Sequence, residues 1–345
     1  MSRSNDETGA STMRERASAS RWKLWVLLEA DRRVLAAIVL VGVFLALVWL
    51  SELAPTELRG TMTSKDPVET LFQALVTAII TGVTLVVTLA QLVLSQELGA
   101  VGDQEDRMDG AMSFRRSVES VIEADVSPPD PASFLQSLVE AAGQQAATLS
   151  TLATERRDDR LREYAEELTA DADAVSEDIE DAQFGTFEVL SAALDFNYAG
   201  KIYEARRLGA ARQDEGDSDV REILDDLVEI FTHFGPAREH VKTLYFQWEL
   251  INLSRAIAYA AVPALIVSLG MIIYGDNPAV VQGAFLGIDT LVWLVSAATT
   301  IAVLPFVLLL VYILRIVTVA KRTLAIGPLV LRDTVRSGES GQDGE

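Results

Sequence analysis

The sequence predicts an all-α integral membrane protein: four transmembrane helices in two hairpins, with an elongated helical, coiled-coil-like cytoplasmic domain inserted between spans two and three. Three observations predict it. Hydrophobic residues make up 50% of the 345 positions and gather in four blocks, each long enough to cross about 30 Å of hydrocarbon at about 1.5 Å per residue. The block between the second and third spans is acid-rich and reads as helix throughout. Bases flank the spans mainly on one side.

Taken in order, residues 1–33 form a cytoplasmic tail that ends in an interfacial helix. From Ser20 to Arg33, Trp22, Trp25, Val26 and Leu28 alternate with Arg21, Lys23, Arg32 and Arg33; tryptophans beside bases suit the headgroup layer. The apolar run begins too late for a signal peptide and lacks a small-x-small cleavage site. Residues 34–96 are the first transmembrane hairpin. Span one runs uncharged from Val34 to Ser51, with Trp49 at its far interface and Glu52 and Pro55 ending it. Asp66-Pro67 starts the second span, uncharged from Thr70 to Gln96.

Residues 97–254 are the acidic cytoplasmic domain. Asp103, Glu105, Asp106 and Asp109 read as a solvated acidic turn, because the ligand spacing of a calcium loop is absent. Asp130 caps a helix with Pro131 at its first position. Leu135, Leu138, Ala142, Gln145, Leu149 and Leu152 form one heptad seam, and Leu161, Ala165, Leu168, Ala172, Val175, Ile179 and Ala182 a second, out of phase with it. Glu155–Arg160 between them is either a stutter or a tight turn. One helix is expected near Thr186–Arg212, another over Asp219–Phe234, and Pro236 starts a helix running into span three.

Residues 255–315 are the second hairpin. Span three, Ala256 to Tyr274, carries Ala256, Ala260, Ala264 and Ser268 at steps of four, a small-residue ridge for close helix packing. Asp276-Asn277-Pro278 closes it. Span four, Thr290 to Leu314, contains Pro305 and ends at Arg315. A cytoplasmic tail, 316–345, follows.

Bases fix the orientation. Arg32, Arg33, Arg107, Arg115, Arg116, Arg238, Lys242, Arg255, Arg315, Lys321 and Arg322 lie on one side; the opposite loops hold Arg59 and Lys65. The positive-inside rule puts both termini and the central domain in the cytoplasm of a multi-pass cell-membrane protein.

The formal charge of −21 excludes nucleic acid as the main partner. Acids abound while lysines are confined to Lys23, Lys65, Lys201, Lys242 and Lys321, a balance that resembles proteins of salt-loving archaea, where a Debye length of about 3 Å screens self-repulsion. With no cysteine there is no thiolate metal site, nucleophile or disulfide. His233 and His240 are seven apart, not the three or four of a metal pair on one helix. No phosphate-binding glycine loop or Ser-His-Asp set stands out, so no catalytic, cofactor-binding or metal residue is assigned, no cofactor is expected and the role is read as non-enzymatic.

One stretch does carry a functional pattern. Thr70, Gln73, Thr77, Thr81, Thr84, Thr88, Gln91 and Ser95 recur at steps of three and four along span two, lining one helical face. Hydroxyls are tolerated in hydrocarbon because they bond the carbonyl one turn back; amides are not so easily satisfied. The face is therefore expected to meet protein or water, and three readings compete: a water-filled path in an oligomer, an interhelical hydrogen-bonded seam, and an incidental pattern. Two functions compete: a channel-like or transport-related homo-oligomer, and a membrane-tethered signalling or scaffold protein whose helical domain binds a cytoplasmic protein partner. In outline, two hairpins with a helical insert between them, the chain resembles the bestrophin type of channel; that resemblance covers topology and no pore residue is carried across from it. The partners expected are the lipid bilayer, further copies of the chain and that cytoplasmic protein.

Overall fold

The computed structural model describes residues 31–53, 58–64, 67–180, 187–212, 217–275 and 281–322. Among them the protein is almost entirely helical: α1 (Arg32–Leu53), α2 (Leu58–Ser64), α3 (Pro67–Glu97), α4 (Val101–Val121), α5 (Pro131–Arg156), α6 (Asp159–Glu180), α7 (Phe187–Asp195), α8 (Tyr198–Ala210), α9 (Ser218–Tyr274), a hairpin of β1 (Ala284–Phe285) and β2 (Ile288–Asp289), and α10 (Thr290–Arg322). Four helices, α1, α3, α9 and α10, are long and apolar enough to cross a membrane by length and composition. The interfacial lead-in before Asp31, the loop with Gly216, the Asp276-Asn277-Pro278 stop and the C-terminal tail lie outside the described residues.

The chain divides into two compact units: Gly102–Tyr245, and the described residues up to Val101 together with Phe246–Ala320.

The first unit is built on an antiparallel helical hairpin. Asp130 caps α5 by accepting the Ala132 and Ser133 N–H groups, each at 3.0 Å, with Pro131 in the first turn. The segment between α5 and α6 is a tight turn: Arg157 takes left-handed φ/ψ of 57° and 38°, and Asp158 accepts the Leu161 N–H at 3.0 Å to start α6. Residues Leu135, Leu138, Ala142, Ala146, Leu149 and Ala153 of α5 are buried, whereas the heptad positions Gln145 and Leu152 are half-buried. The buried row advances by the 3.6 residues of an unsupercoiled helix rather than by 3.5. Gly143 allows the close approach, since a Cβ there would lie 3.2 Å from that of Ala172. Leu161, Ala165, Leu168, Ala172, Val175 and Ile179 supply the facing side; Ala182 lies outside the described residues.

Three expectations for this unit are corrected. The acidic run from Asp103 to Gly110 is the first half of α4 rather than a turn: its charges are all exposed, so a helix holds them without burying any. Thr186–Arg212 is two helices, broken at Phe196-Asn197, where the Asn197 side chain accepts the Gly200 N–H at 3.1 Å and caps α8. Pro236 does not start a helix but sits inside α9. Proline there forfeits one backbone hydrogen bond, and burial of Phe231, Phe234, Ala237 and Val241 against one core carries the helix past it. Gly235 beside it takes the Tyr198 ring, which a Cβ would meet at 3.1 Å.

In the second unit α1 meets α10 through Ala36, Val307 and Val311, and Phe44 stacks tilted on Trp293 with centroids 5.7 Å apart. Phe72 of α3 joins Leu291, Ala298 and Ala302 of α10. Phe306 fills the space over Gly82, where a Cβ would lie 3.3 Å from the ring. Helix α10 continues beyond Arg315 to Arg322, with Val319 fully buried.

Candidate functional site

Helix α3 has two faces. Val68, Phe72, Ile79 and Val86 are buried, a step of seven twice over with one residue a turn earlier. Thr70, Gln73, Thr77, Thr81, Thr84, Thr88, Gln91 and Ser95 are all exposed. At 100° per residue the two sets fall on opposite sides of the helix. The polar face therefore takes no part in the buried packing of α3 among the described residues.

Its hydroxyls are satisfied within the helix. Thr77 donates to the Gln73 carbonyl at 3.0 Å, Thr81 to Thr77 at 2.8 Å, Thr84 to Ile80 at 2.8 Å, Thr88 to Thr84 at 2.9 Å and Ser95 to Leu92 at 2.7 Å. The Gln73 amide donates to a Glu69 carboxylate oxygen at 2.8 Å. Gln91 differs: its amide makes no hydrogen bond among the described residues, and it lines a shallow apolar groove with Val83, Val86, Ser254 and Ile257. The uncompensated polarity of the stripe is thus concentrated in a single carboxamide.

The small-residue ridge of α9 lies elsewhere. Ala260, Ala264 and Ser268 are buried and Ala256 half-buried. Ala264, with Ala261, packs on Ile79 and Val83 of α3 and on Phe306 of α10. Ser268 donates to the Ala264 carbonyl at 2.7 Å, so its hydroxyl is satisfied without leaving the helix.

Two charged contacts of this unit were not anticipated. Arg32 of α1 forms an ion pair with Glu249 of α9, and its guanidinium lies 4.9 Å from the centre of the Tyr312 ring of α10. The Glu249 side chain is 1% exposed, and its second oxygen, Oε2, is buried without a hydrogen-bond partner among the described residues. The sequence signal for this pair is a lone acid in the run Trp248-Glu249-Leu250-Ile251. At the other end, Arg59 clasps Asp289 with two bonds of 2.9 and 2.8 Å and donates to the Val281 carbonyl at 2.7 Å. The Arg59 hydrogen bonds, helped by the Leu291 N–H, hold the Asp289 carboxyl below the usual carboxylate range. No three His, Asp or Glu side chains converge to hold a metal among the described residues.

No curated protein and no solved structure matches the chain. A family model does, over residues 1–343, and with nearly the whole sequence covered the chain belongs to that family, a family of unknown function designated DUF7972.

Proposed function

We propose that the chain crosses a cell membrane four times as two hairpins, with both termini and residues 97–254 in the cytoplasm, and that it works as a non-enzymatic homo-oligomer forming a channel-like or transport path. The polar face of α3 borders that path, each copy presenting it to the others. The observation that carries this reading is the placement of eight polar side chains, Thr70 to Ser95, on the side of α3 opposite its packed face. A lone chain in lipid would leave the Gln91 amide against acyl tails; a neighbouring copy or water relieves it. The acid-rich, lysine-poor surface suits a highly saline cytoplasm, where self-repulsion is screened. The test is ion flux in liposomes reconstituted with the full chain, compared with the Gln73→Leu and Gln91→Leu variants. Flux that both substitutions leave unaltered removes the path along this face.

A second reading, a membrane-tethered scaffold, is favoured by α4. Its residues from Gly102 to Ser113 are exposed on every side, with Met108 and Met112 one turn apart and 62% and 44% exposed. Such a helix gains little from its own chain and suits a cytoplasmic protein partner. Because the chain is free of cysteine, a single Met112→Cys substitution gives a clean crosslinking probe. If no second polypeptide is captured from that position in intact cells, this reading loses its support.

A further inference from the structure

The β1–β2 hairpin is built in an unexpected way. Ala284 pairs with Asp289 and Phe285 with Ile288, leaving Leu286 and Gly287 at the tip. Both tip residues have positive φ, 53° and 84°. A two-residue turn of this kind favours Asn, Asp or Gly at its first position, because a side chain with φ near +55° is strained. Leucine occupies it instead, 78% exposed, beside Phe285 at 61%. From Val281 to Ile288 there is no charge, in a chain of which 23% is charged. Backbone strain and exposed apolar surface at one place both work against the isolated chain, so the compensation lies outside it.

The surroundings identify what supplies it. Phe285 stacks edge-on against Trp293 at 5.9 Å, and Trp293 stacks on Phe44, so the hairpin is continuous with the apolar faces of α1 and α10. The Trp293 indole N–H donates to the Phe285 carbonyl at 3.1 Å, and the Thr290 N–H to the Gly283 carbonyl at 3.0 Å. These bonds, with the ladder, hold backbone polar groups that would resist entry into a low-dielectric layer. The charges at the base of the loop, Arg59 and Asp289, neutralise one another. We infer that the hairpin tip is a lipid-binding finger: Phe285 and Leu286 insert into the headgroup–acyl boundary of the outer leaflet of the bilayer that α1 and α10 cross. The inference rests on the four-span reading and adds a membrane contact made by a loop.

The experiment uses the full chain in phosphatidylcholine vesicles, with Leu286→Cys carrying an environment-sensitive fluorophore. Leu45→Cys, at an exposed position within α1, is the reference for the spans. The expected result is blue-shifted emission at 286, quenched more strongly by a nitroxide at the lipid headgroup level than by one deep in the acyl chains, with the reverse order at 45. A label at 286 that is quenched by iodide from water, while 45 stays in hydrocarbon, overturns the finger and leaves the spans standing. A label at 286 shielded from both lipid and water also overturns it, in favour of a protein neighbour. Aqueous labels at both positions overturn the four-span reading itself. Leu286→Asn, which suits the turn better, is expected to keep the hairpin and reduce lipid quenching of a label at Phe285→Cys.

Discussion

Arg32 and Glu249 lie 217 positions apart and meet as an ion pair, the guanidinium also covering the Tyr312 ring. Helix α1 otherwise buries only Ala36 and Val48 among its 22 residues, so this contact does much to hold it in the bundle. Removing one member of a buried pair strands the other charge and costs about 3–5 kcal/mol. Arg32 keeps 19% of its side chain exposed, which puts Glu249→Ala toward the low end. Thermal unfolding in detergent is expected to show this loss, and the exchange Arg32→Glu with Glu249→Arg to recover part of it. Disulfide formation between Ala36→Cys and Val311→Cys should weaken in the single variant. Unchanged crosslinking in Glu249→Ala would mean that the hydrophobic contacts alone hold α1.

Within the 102–245 unit, Asp226 is an electrostatic liability. Burial pushes its carboxyl above the usual range, and Glu222, Glu229, Asp225 and Glu123 push it the same way. The folded state therefore holds that proton more tightly than the unfolded chain does. This group adds stability at acid pH, and the contribution is lost as pH rises through the carboxylate range. Asp226→Asn should raise the melting temperature at pH 7, with the gain shrinking as pH falls. The gain should also shrink in molar salt, where the Debye length drops to about 3 Å.

Gly143 sets how closely α5 and α6 approach. A Cβ at that position already lies 3.2 Å from Ala172, and valine adds two further carbons. Gly143→Val is expected to destabilise the hairpin by about 1–3 kcal/mol through overpacking, whereas Gly110→Ala, with nothing within 4 Å of its Cβ, should not destabilise. Paired melting curves separate the two.

The polar face of α3 makes a contrasting prediction. Thr84 is exposed and bonds only its own helix, so Thr84→Val should change the stability of a single chain by less than about 0.5 kcal/mol. In an oligomer built on that face, Thr84→Val and Gln91→Leu together should shift the particle mass seen by light scattering toward the monomer. A mass unaffected by both places the subunit contact elsewhere.

The four long apolar helices and the capped start of α5 were legible because each depends on local signals: runs of uncharged residues, and Asp130 followed by Pro131. The break at Asn197 and the continuity of α9 through Pro236 were not. In both, tertiary burial around Phe196, Phe231 and Phe234 decides what local propensity leaves open. The composition of the α3 stripe was readable from its period. Its direction was not, since only the packing of Phe72, Ile79 and Val86 defines which side is inward. The Glu249 pair is illegible for a related reason: nothing near this acid in sequence reveals a partner on another helix.

In the four-span topology the Arg59–Asp289 clasp links two hairpins that are not synthesised together. Asp289 follows Arg59 by 230 residues, about 10–45 seconds of translation at about 5–20 residues per second. During that interval the first hairpin must keep its orientation with Arg59 already made and Asp289 still to come. The bases ahead of span one have to outvote Arg59 and Lys65. Only when the second hairpin arrives does Arg59 gain Asp289, so in the proposed topology the clasp fastens an orientation that insertion has already decided.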